Sequence, residues 1–253
     1  MIPIRRGLGT LVNSLLLPFG LQVRRQLGPR YLRELSVRTV LDIGANAGQF
    51  ARKTRALLPN ATIHSFEPLP EPCEELRRWA ARDKSMFIHS LALGDAEGEA
   101  EIHRNSFSPS SSFLPVTQIH TQSFPGTGST KSLRVPIARL DSWATTWDLS
   151  DPILIKLDVQ GYEDRVLRGG EKTLKRASAL IVEMSFRELY EGQLLFDEIY
   201  PLIRHLGYSS AGIDEVVSHR ESGATLQADF VFLRTSTQSF PALLGPRSQM
   251  ANL

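Results

Sequence analysis

The sequence predicts an α/β domain built from alternating strands and helices. Short apolar runs rich in β-branched residues alternate with helical patterns from Val40 onward, as in repeated strand–helix units. A glycine turn follows the first of these strands, and an acidic residue closes the second. With 253 residues, 42% of them hydrophobic and 22% charged, the chain is long enough to bury one large core.

The first strand and its turn lie in the segment Val40–Phe50, which reads VLDIGANAGQF. Its apolar and partly β-branched start suits a strand that is covered on both faces. Gly44 and Gly48 remove side chains where the backbone must turn sharply and approach a ligand. The helix that follows directs its free N–H groups and the positive end of its dipole at the turn, which therefore suits an anionic or polar ligand.

The spacing of this turn is informative. Asp42-x-Gly44-x-x-x-Gly48 differs from the G-x-G-x-x-G of dinucleotide-binding turns, and no Gly-Lys-Ser/Thr of a P-loop is present. An acid shortly before the first glycine is the form used by S-adenosylmethionine (SAM) methyltransferases, in which it faces the cationic methionine end of the cofactor. Glu67, followed by Pro68, ends the second strand, where an acid can accept hydrogen bonds from both hydroxyls of a ribose.

The rest of the core continues the alternation. Strands are predicted over Met86–Ala92, Ile153–Asp158, Ala179–Met184, Ser209–Ile213 and Asp229–Leu233. Helices are predicted over Pro68–Lys84, Glu163–Arg176 and Leu195–Leu206. Pro201 should kink the last of these helices or mark its boundary, because proline removes a backbone donor.

Composition divides the chain into a core domain of residues 39–234, an N-terminal helical extension of residues 1–38 and a loosely held C-terminal tail of residues 235–253. Within the domain, Glu99–His103 and Leu133–Arg139 alternate like the strands of an inserted hairpin. The residues between these two runs, 105–131, are rich in Ser, Thr, Pro and Gly. They are either a functional lid or a flexible insertion.

The net charge of the chain and the distribution of its arginines indicate which partners it can bind. The formal net charge of +2 gives no global field that demands a nucleic-acid partner. Seven arginines stand against Glu34 alone within residues 1–40, so this extension is either a docked helix with solvated arginines or a peripheral contact with an acidic membrane surface. Its longest apolar run, Leu15–Leu21, is far short of the ~20 residues that span a bilayer. Cys73 is the only cysteine, and we expect a reducing, cytoplasmic location.

Five motifs occur in order between about Val40 and Arg234: Asp42–Gly48, Phe66–Pro68, Ala92–Asp95, Val135–Asp141 and Ile155–Glu163. Together they resemble the FkbM family of SAM-dependent methyltransferases. The resemblance implies a class I SAM-methyltransferase (Rossmann-like) fold, with a seven-stranded, mostly parallel sheet whose last strand is antiparallel and with helices on both faces. It also implies O-methylation of a hydroxyl, often on a sugar or a polyketide-type natural product.

On that fold, strands one and four are neighbours where the strand order reverses, and the cofactor lies along the carboxyl ends of strands one to three. The predicted cofactor-binding residues are Asp42, Gly44, Asn46, Gly48, Glu67, Pro68, Ala92 and Leu93. Asn46 and the backbone of the turn are expected at the methionine part and Glu67 at the ribose. Ala92 or Leu93 is expected at the adenine.

Four residues are catalytic candidates. Asp158, at the end of the fourth strand, is the predicted general base for the acceptor hydroxyl, because a positioned base typically adds about 10²–10⁴-fold to the rate. Lys156 shares its face and either orients the acceptor or forms a structural ion pair. Glu163 is either a catalytic group or a charge that favours the start of its helix. Asp158 and Glu183 could also jointly hold a divalent cation such as Mg²⁺.

Other function classes stay open on the sequence. One is a non-catalytic SAM-binding or interaction module, against which the intact acids Asp42, Glu67 and Asp158 argue. The other is a dinucleotide oxidoreductase, against which the missing third glycine argues. The expected acceptor is a small molecule or a glycan. Trp143 and Trp147 either stack on a sugar ring or pack into the core as a helical i, i+4 pair.

Overall fold

The computed structural model describes residues 34–235. The predicted N-terminal extension and C-terminal tail lie outside these residues, apart from residues 34–38 and Thr235. None of the helices within residues 34–235 has the length and apolar character needed to cross a lipid bilayer.

The helices and strands of the described residues alternate as the sequence predicts. The strands are β1 (Thr39–Ile43), β2 (Thr62–Phe66), β3 (Met86–His89), β4 (Ala92–Gly94), β5 (Gly98–Asn105), β6 (Thr130–Arg139), β7 (Ile153–Leu157), β8 (Ala179–Ser185), β9 (Tyr208–Ser218) and β10 (Thr225–Arg234). The helices are α1 (Gln49–Leu57), α2 (Pro70–Ala80), α3 (Gln118–Ser123), α4 (Leu140–Ala144), α5 (Glu163–Gly169), α6 (Glu171–Arg176) and α7 (Phe196–His205). A short 3₁₀ turn covers Ser108–Ser110.

The central sheet has seven strands in the order β3-β2-β1-β7-β8-β10-β9. Parallel pairs join β3 to β2, β2 to β1, β1 to β7 and β7 to β8, whereas β10 is antiparallel to both of its neighbours. The strand order reverses between β1 and β7, which is where an open α/β sheet binds its ligands. The predicted seven-stranded, mostly parallel sheet with an antiparallel last strand is confirmed.

Apolar side chains cover both faces of this sheet, because successive residues of a strand point to opposite sides. Leu41 and Ile43 of β1 belong to one core cluster, which contains residues of α4, α5, α6 and α7. Val40 belongs to a second cluster on the other face, which contains residues of α1 and α2. The continuous apolar runs seen in the sequence therefore match strands that are buried on both faces.

A second sheet, in the order β4-β6-β5, contains the predicted inserted hairpin. β5 and β6 pair antiparallel, with Ala100 opposite Val135, and β4 joins β6 in parallel. Residues 105–131, called the lid segment below, include α3 and the 3₁₀ turn. Leu114 and Phe124 of the lid segment pack against Leu189 and Tyr190 after β8.

Two details of the predicted elements are wrong. The single helix expected over Glu163–Arg176 is two helices, α5 and α6, separated at Gly170. A Cβ on Gly170 would lie 2.7 Å from Leu140 Cδ2, so close packing against α4 requires a glycine at this break. The third core strand ends at His89 instead of Ala92, because the chain changes sheets there and Ala92 pairs with Ile137.

Pro201 lies inside α7, which continues through it to His205. The proline is on the exposed side of the helix. Water can therefore satisfy the backbone carbonyl that loses its donor, and the predicted boundary does not form at Pro201.

Gly44, directly after β1, packs against the backbone of Asp158, directly after β7. We therefore predict that Gly44→Ala is strongly destabilising. Gly44 has φ +81°, and a Cβ there would lie 1.8 Å from the carbonyl oxygen of Asp158. Gly223, in the turn between β9 and β10, has φ +69°, and a Cβ there would meet no other part of the protein within 4 Å. Gly223→Ala is therefore the matched control, and we expect it to lose about 1–2 kcal/mol through its left-handed backbone alone.

Gly44→Ala should lose about 1–3 kcal/mol more than this control, because overpacking adds to the same backbone strain. Urea unfolding of the two variants and the wild type measures the difference. Equal losses at the two positions would show that the contact between Gly44 and Asp158 does not constrain the fold.

Candidate active site

The sheet register brings a row of polar side chains together near the carboxyl ends of its strands. Asp42 of β1 lies between Ser65 of β2 and Lys156 of β7, which are its partners in the two neighbouring strands. Further along the row, Glu183 of β8 is paired with Asp229 of β10. Along their strands these residues alternate with side chains of the cluster that contains residues of α4 to α7. They therefore occupy the opposite face of the sheet, which α1 covers.

Lys156 is the cation of this row. Its side chain is buried, and its Nζ lies 2.6 Å from Asp158 Oδ2 and 5.3 Å from the centre of the Phe50 ring. Burial alone would lower the pKa of Lys156. The carboxylates around it, Asp158 first among them, outweigh burial and raise that pKa above its ordinary value. Lys156 is therefore charged at any physiological pH.

Asp42 is fully buried and only partly hydrogen-bonded. Its Oδ2 accepts a 3.5 Å hydrogen bond from Ser65 Oγ, and its Oδ1 has no partner within the described residues. Burial raises the pKa of Asp42 to about 6, although Lys156 opposes the rise. An unpaired buried carboxylate oxygen is costly, typically ~1–3 kcal/mol, so Asp42 fits the cationic methionine end of a bound cofactor.

Glu67 holds the turn from the neighbouring strand. Its Oε2 accepts the backbone N–H of Asn46 and its Oε1 that of Leu69, each at 2.8 Å. Burial raises the pKa of Glu67 to about 7, and these two N–H groups oppose the rise. Each oxygen has a second lone pair, so the carboxylate can still accept hydrogen bonds from a ribose. Pro68 lies between Glu67 and Leu69, which this second hydrogen bond joins. The Asn46 side chain donates from Nδ2 to Ser108 Oγ at 3.1 Å.

Two glycines allow the turn between β1 and α1 to lie close to other segments. Gly48 has φ +89° and immediately precedes α1, and a Cβ there would lie 2.4 Å from Leu76 Cδ1. Gly44 touches the backbone of Asp158. The turn over Asp42–Gly48 and the loop that begins at Asp158 are therefore adjacent, as the sequence predicts.

Asp158 and Glu183 share one donor. Gln160 Nε2 donates to Asp158 Oδ1 at 2.7 Å and to Glu183 Oε2 at 2.9 Å. Glu183 Oε1 accepts from the side-chain amide of Gln227. Burial would raise the pKa of Asp158, but the charge and hydrogen bond of Lys156 lower it below its ordinary range. Burial and the neighbouring Asp158 charge raise the pKa of Glu183 well above its ordinary value, so Asp158 is the ionised member of the pair.

Glu163 begins α5, and its carboxylate turns back onto the preceding loop. Its Oε1 accepts the backbone N–H of Val159 at 3.0 Å and that of Gly161 at 3.3 Å. Burial raises the pKa of Glu163 to about 7, and the backbone hydrogen bonds oppose the rise. This side chain holds the loop that carries Asp158 and Gln160.

Ala92 and Leu93 lie in β4 and are 5% and 1% exposed, and Leu93 belongs to a main core cluster. A cleft of about 310 Å³ opens beside the turn instead. Its lining includes Ala47, Leu69 and Pro72 but neither Ala92 nor Leu93. The cleft therefore borders the glycine turn at Ala47 and the Glu67 region at Leu69, whose backbone N–H donates to Glu67.

Trp143 and Trp147 pack against the core. Their rings meet that of His64 edge-on, with centroids 5.1 and 4.6 Å apart, and Trp143 is only 8% exposed. The tryptophans also stack on each other at 5.9 Å. Of the two sequence interpretations, packing as an i, i+4 pair is the one that matches the structure.

A divalent cation does not fit these residues. Between residues 34 and 235, no group of three or more His, Cys, Asp or Glu side chains is placed to hold a metal ion. The carboxylates of Asp158 and Glu183 already accept hydrogen bonds from Lys156, Gln160 and Gln227. Mg²⁺ requires near-octahedral oxygen coordination, which this pair does not supply.

The sequence assigns no role to three side chains that are linked to Asp158, directly or one through another, by hydrogen bonds. Gln160 lies within the motif Ile155–Glu163, which is a usable signal, but the motif does not reveal the role of its amide. Tyr190 donates to Gln160 Oε1 at 2.6 Å, and His120 lies 3.2 Å from the Tyr190 hydroxyl. No local pattern marks these last two residues, because they come from loops that are separated in sequence.

Two curated proteins are similar to this chain along most of their length. The 2-O-methyltransferase NoeI of Sinorhizobium fredii (strain NBRC 101917 / NGR234) is 31% identical over 189 residues, which cover 72% of this chain and 77% of that protein. The 31-O-demethyl-FK506 methyltransferase FkbM of Streptomyces tacrolimicus is 27% identical over 194 residues, which cover 67% of this chain and 72% of that protein.

Solved methyltransferase structures align with this chain at low sequence identity. Methyltransferase FkbM from Methylobacillus flagellatus KT aligns with a TM-score of 0.48 and 14% identity, over 77% of this chain but only 44% of that chain. Magnesium protoporphyrin IX methyltransferase (ChlM) from Synechocystis PCC 6803, solved with bound SAM, aligns with a TM-score of 0.45 and 12% identity, over 89% of this chain and 77% of that one.

The family assignment rests on a match that covers most of the described domain. A family model of the methyltransferase FkbM domain matches residues 42–210, which include the glycine turn, Glu67, Asp158 and Glu183. The residues around the turn also fit a cationic cofactor with a ribose. The chain belongs to the FkbM family of SAM-dependent methyltransferases.

Proposed function

We propose that this protein transfers a methyl group from SAM to a hydroxyl oxygen of a sugar-like or polyketide-type acceptor. The observation that carries the proposal is the contact between Gly44 and the backbone of Asp158. This contact brings an ionised carboxylate beside the turn that would receive the methionine part of the cofactor. A carboxylate at that point can accept a proton from a hydroxyl next to the transferred methyl group.

The residues that would hold SAM surround the turn. Asp42 and the backbone of Gly44–Gly48 would meet the methionine part, with Asn46 at its edge. Glu67 would accept hydrogen bonds from the ribose hydroxyls. The cleft lined by Leu69 and Pro72 would take the adenine, in place of Ala92 and Leu93. When bound, SAM supplies a methyl group on a sulfonium centre.

Asp158 acts as the general base. Its carboxylate would take the proton of the acceptor hydroxyl, and bound SAM would supply the methyl group that the oxygen receives, leaving S-adenosylhomocysteine. Lys156 supports the reaction by keeping Asp158 ionised through a 2.6 Å contact. Holding the oxygen and the methyl group in line can contribute up to ~7–11 kcal/mol in well-oriented systems. Glu163 is a positioning residue, because its Oε1 accepts hydrogen bonds from backbone N–H groups and so holds the loop that carries Asp158.

The acceptor class follows from the relatives. One is named as a 2-O-methyltransferase and the other as a methyltransferase of 31-O-demethyl-FK506, so both names refer to methylation of oxygen. We propose oxygen as the acceptor atom here as well, since a carboxylate base suits a hydroxyl. A cytoplasmic location and peripheral membrane contact through the basic N-terminal extension of residues 1–38 stay predictions from the sequence.

Replacing the base tests this function. We expect Asp158→Asn to lower kcat by about 10²–10⁴-fold, because the amide cannot take the hydroxyl proton. Asp148→Asn is the control, since Asp148 lies outside the site, after α4 and before β7. The measurement is transfer of tritium from methyl-labelled SAM to a panel of glycosides and hydroxylated polyketide lactones, with S-adenosylhomocysteine binding checked by calorimetry.

Unchanged transfer by Asp158→Asn would remove Asp158 as the base. A wild-type protein that binds S-adenosylhomocysteine but methylates no acceptor in the panel would contradict the proposed activity and favour a non-catalytic SAM-binding module.

Binding of SAM should tighten as the pH rises from 5 to 8. Burial raises the pKa of Asp42 to about 6 and that of Glu67 to about 7, so both acids change from protonated to ionised within this range. A cation and ribose hydroxyls favour the ionised forms. Binding therefore lowers both pKa values and releases protons.

Calorimetry of SAM binding at pH 6, where Asp42 is about half protonated, in two buffers of different ionisation enthalpy measures this proton release. Asp42→Asn should release fewer protons than the wild type and bind SAM more weakly. An affinity that is constant from pH 5 to pH 8 would show that these acids do not contact the cofactor.

A further inference from the structure

A continuous chain of side chains runs from the lid segment to Asp158. Thr127 Oγ1 lies 3.0 Å from His120 Nδ1, and His120 Nε2 lies 3.2 Å from the Tyr190 hydroxyl. Tyr190 reaches Gln160 Oε1 at 2.6 Å, and Gln160 Nε2 reaches both Asp158 and its neighbour Glu183. This chain connects α3 and the following loop with the ends of β7 and β8.

The chemistry of the side-chain amide sets the direction of the chain. Gln160 presents its N–H groups to the two carboxylates, so its carbonyl oxygen faces Tyr190, which must donate. The Tyr190 oxygen then accepts from His120 Nε2–H. The remaining ring nitrogen of His120 faces the Thr127 hydroxyl, whose single proton is shared with the backbone carbonyl oxygen of Phe124, 2.7 Å away. His120, Tyr190 and Gln160 thus each donate toward Asp158. Because Tyr190 uses its proton on Gln160, His120 is the neutral tautomer with its proton on Nε2.

The members of the chain are shielded from water. His120, Thr127 and Tyr190 are 2%, 2% and 1% exposed. Burial also lowers the pKa of His120, which agrees with a neutral ring. Buried polar groups need their partners, so a missing member would leave its neighbours unsatisfied.

The lid segment holds Gln160 at a second point. Ser112 Oγ donates to the backbone carbonyl of Gln160 at 2.6 Å. Gln160 has φ +55°, a left-handed conformation that a residue other than glycine adopts at a cost. Side chain and backbone of Gln160 are therefore both fixed by residues outside its own loop.

We propose that His120 of the lid segment and Tyr190 are positioning residues for the catalytic carboxylate. Together they hold the Gln160 amide in the orientation in which it donates to both Asp158 and Glu183. The inference rests on the proposed function, in which Asp158 is the base. An amide does not pass protons along, so the chain orients groups and does not relay a proton. Without the hydrogen bond from Tyr190, the Gln160 side chain can rotate and the two carboxylates lose their shared donor. Asp158 then takes up a proton more readily.

Tyr190→Phe tests the proposal, because it removes one hydroxyl and keeps the ring. Tyr200→Phe is the matched control, since no hydrogen bond of the Tyr200 hydroxyl occurs among residues 34–235 and Tyr200 lies on α7. In Tyr190→Phe we expect the acidic limb of the kcat–pH profile to move up by about one unit, with a loss of about tenfold below that limb. The affinity for S-adenosylhomocysteine and the KM for SAM should not change.

The tautomer of His120 is a second measurement, and it can be made without a methyl-acceptor substrate. Nitrogen NMR of histidine-labelled protein reports which ring nitrogen of His120 carries the proton. We expect the Nε2–H tautomer in the wild type and in Tyr200→Phe, and a mixture of tautomers in Tyr190→Phe and in Thr127→Val. Thr127→Val probes the far end of the same chain and serves if Tyr190→Phe does not fold.

A wild-type pH profile in Tyr190→Phe, or a His120 that carries its proton on Nδ1 in the wild type, would overturn this inference. These outcomes differ from a failure of the proposed function. If Asp158→Asn is inactive and Tyr190→Phe keeps the wild-type profile, Asp158 is the base and only the role of the lid segment is wrong. If Asp158→Asn stays active, the proposed function is wrong whatever Tyr190→Phe shows.

Discussion

The arrangement of the strand ends depends on the buried ammonium group of Lys156. It contacts Asp158 at 2.6 Å and lies beside Asp42 of the neighbouring strand, and the charge of Asp229 also favours its protonated form. Removing one member of a buried ion pair typically costs ~3–5 kcal/mol, because the remaining charge has no partner. Without Lys156, the acids would have to take up protons or separate. With Lys156 in place, Asp158 remains ionised and negative charge is left over for a cationic cofactor.

The same cation divides the acids into two groups. Asp42 and Glu67 have raised pKa values, since burial dominates at both positions, whereas contact with Lys156 lowers the pKa of Asp158. Titratable groups whose surroundings push their pKa values apart are typical of sites that divide binding and proton transfer between residues. The acids on β1 and β2 suit cofactor binding, and the acid after β7 suits proton removal. Gly44 keeps the two groups adjacent by its backbone contact.

Much of the fold could be predicted from the sequence, because each core strand is a local apolar run and the glycine turn has a distinctive spacing. The sheet order required the family resemblance, since strand neighbours such as β1 and β7 are far apart in sequence. The break at Gly170 could not be predicted, because it depends on packing against Leu140. His120 and Tyr190 could not be predicted either. Only the folded lid segment distinguishes that histidine from a solvated loop residue.

Calorimetry of S-adenosylhomocysteine binding to the wild type, Glu67→Ala and the exposed control Glu74→Ala tests the cofactor site at the ends of β1 and β2. Glu67 is the acid expected to accept hydrogen bonds from the ribose hydroxyls, and hydrogen bonds to charged groups contribute ~1.5–3 kcal/mol each. We predict clear binding by the wild type and Glu74→Ala, and at least about tenfold weaker binding by Glu67→Ala. Equal binding by all three proteins, or none by the wild type, would contradict a cofactor site at the ends of β1 and β2.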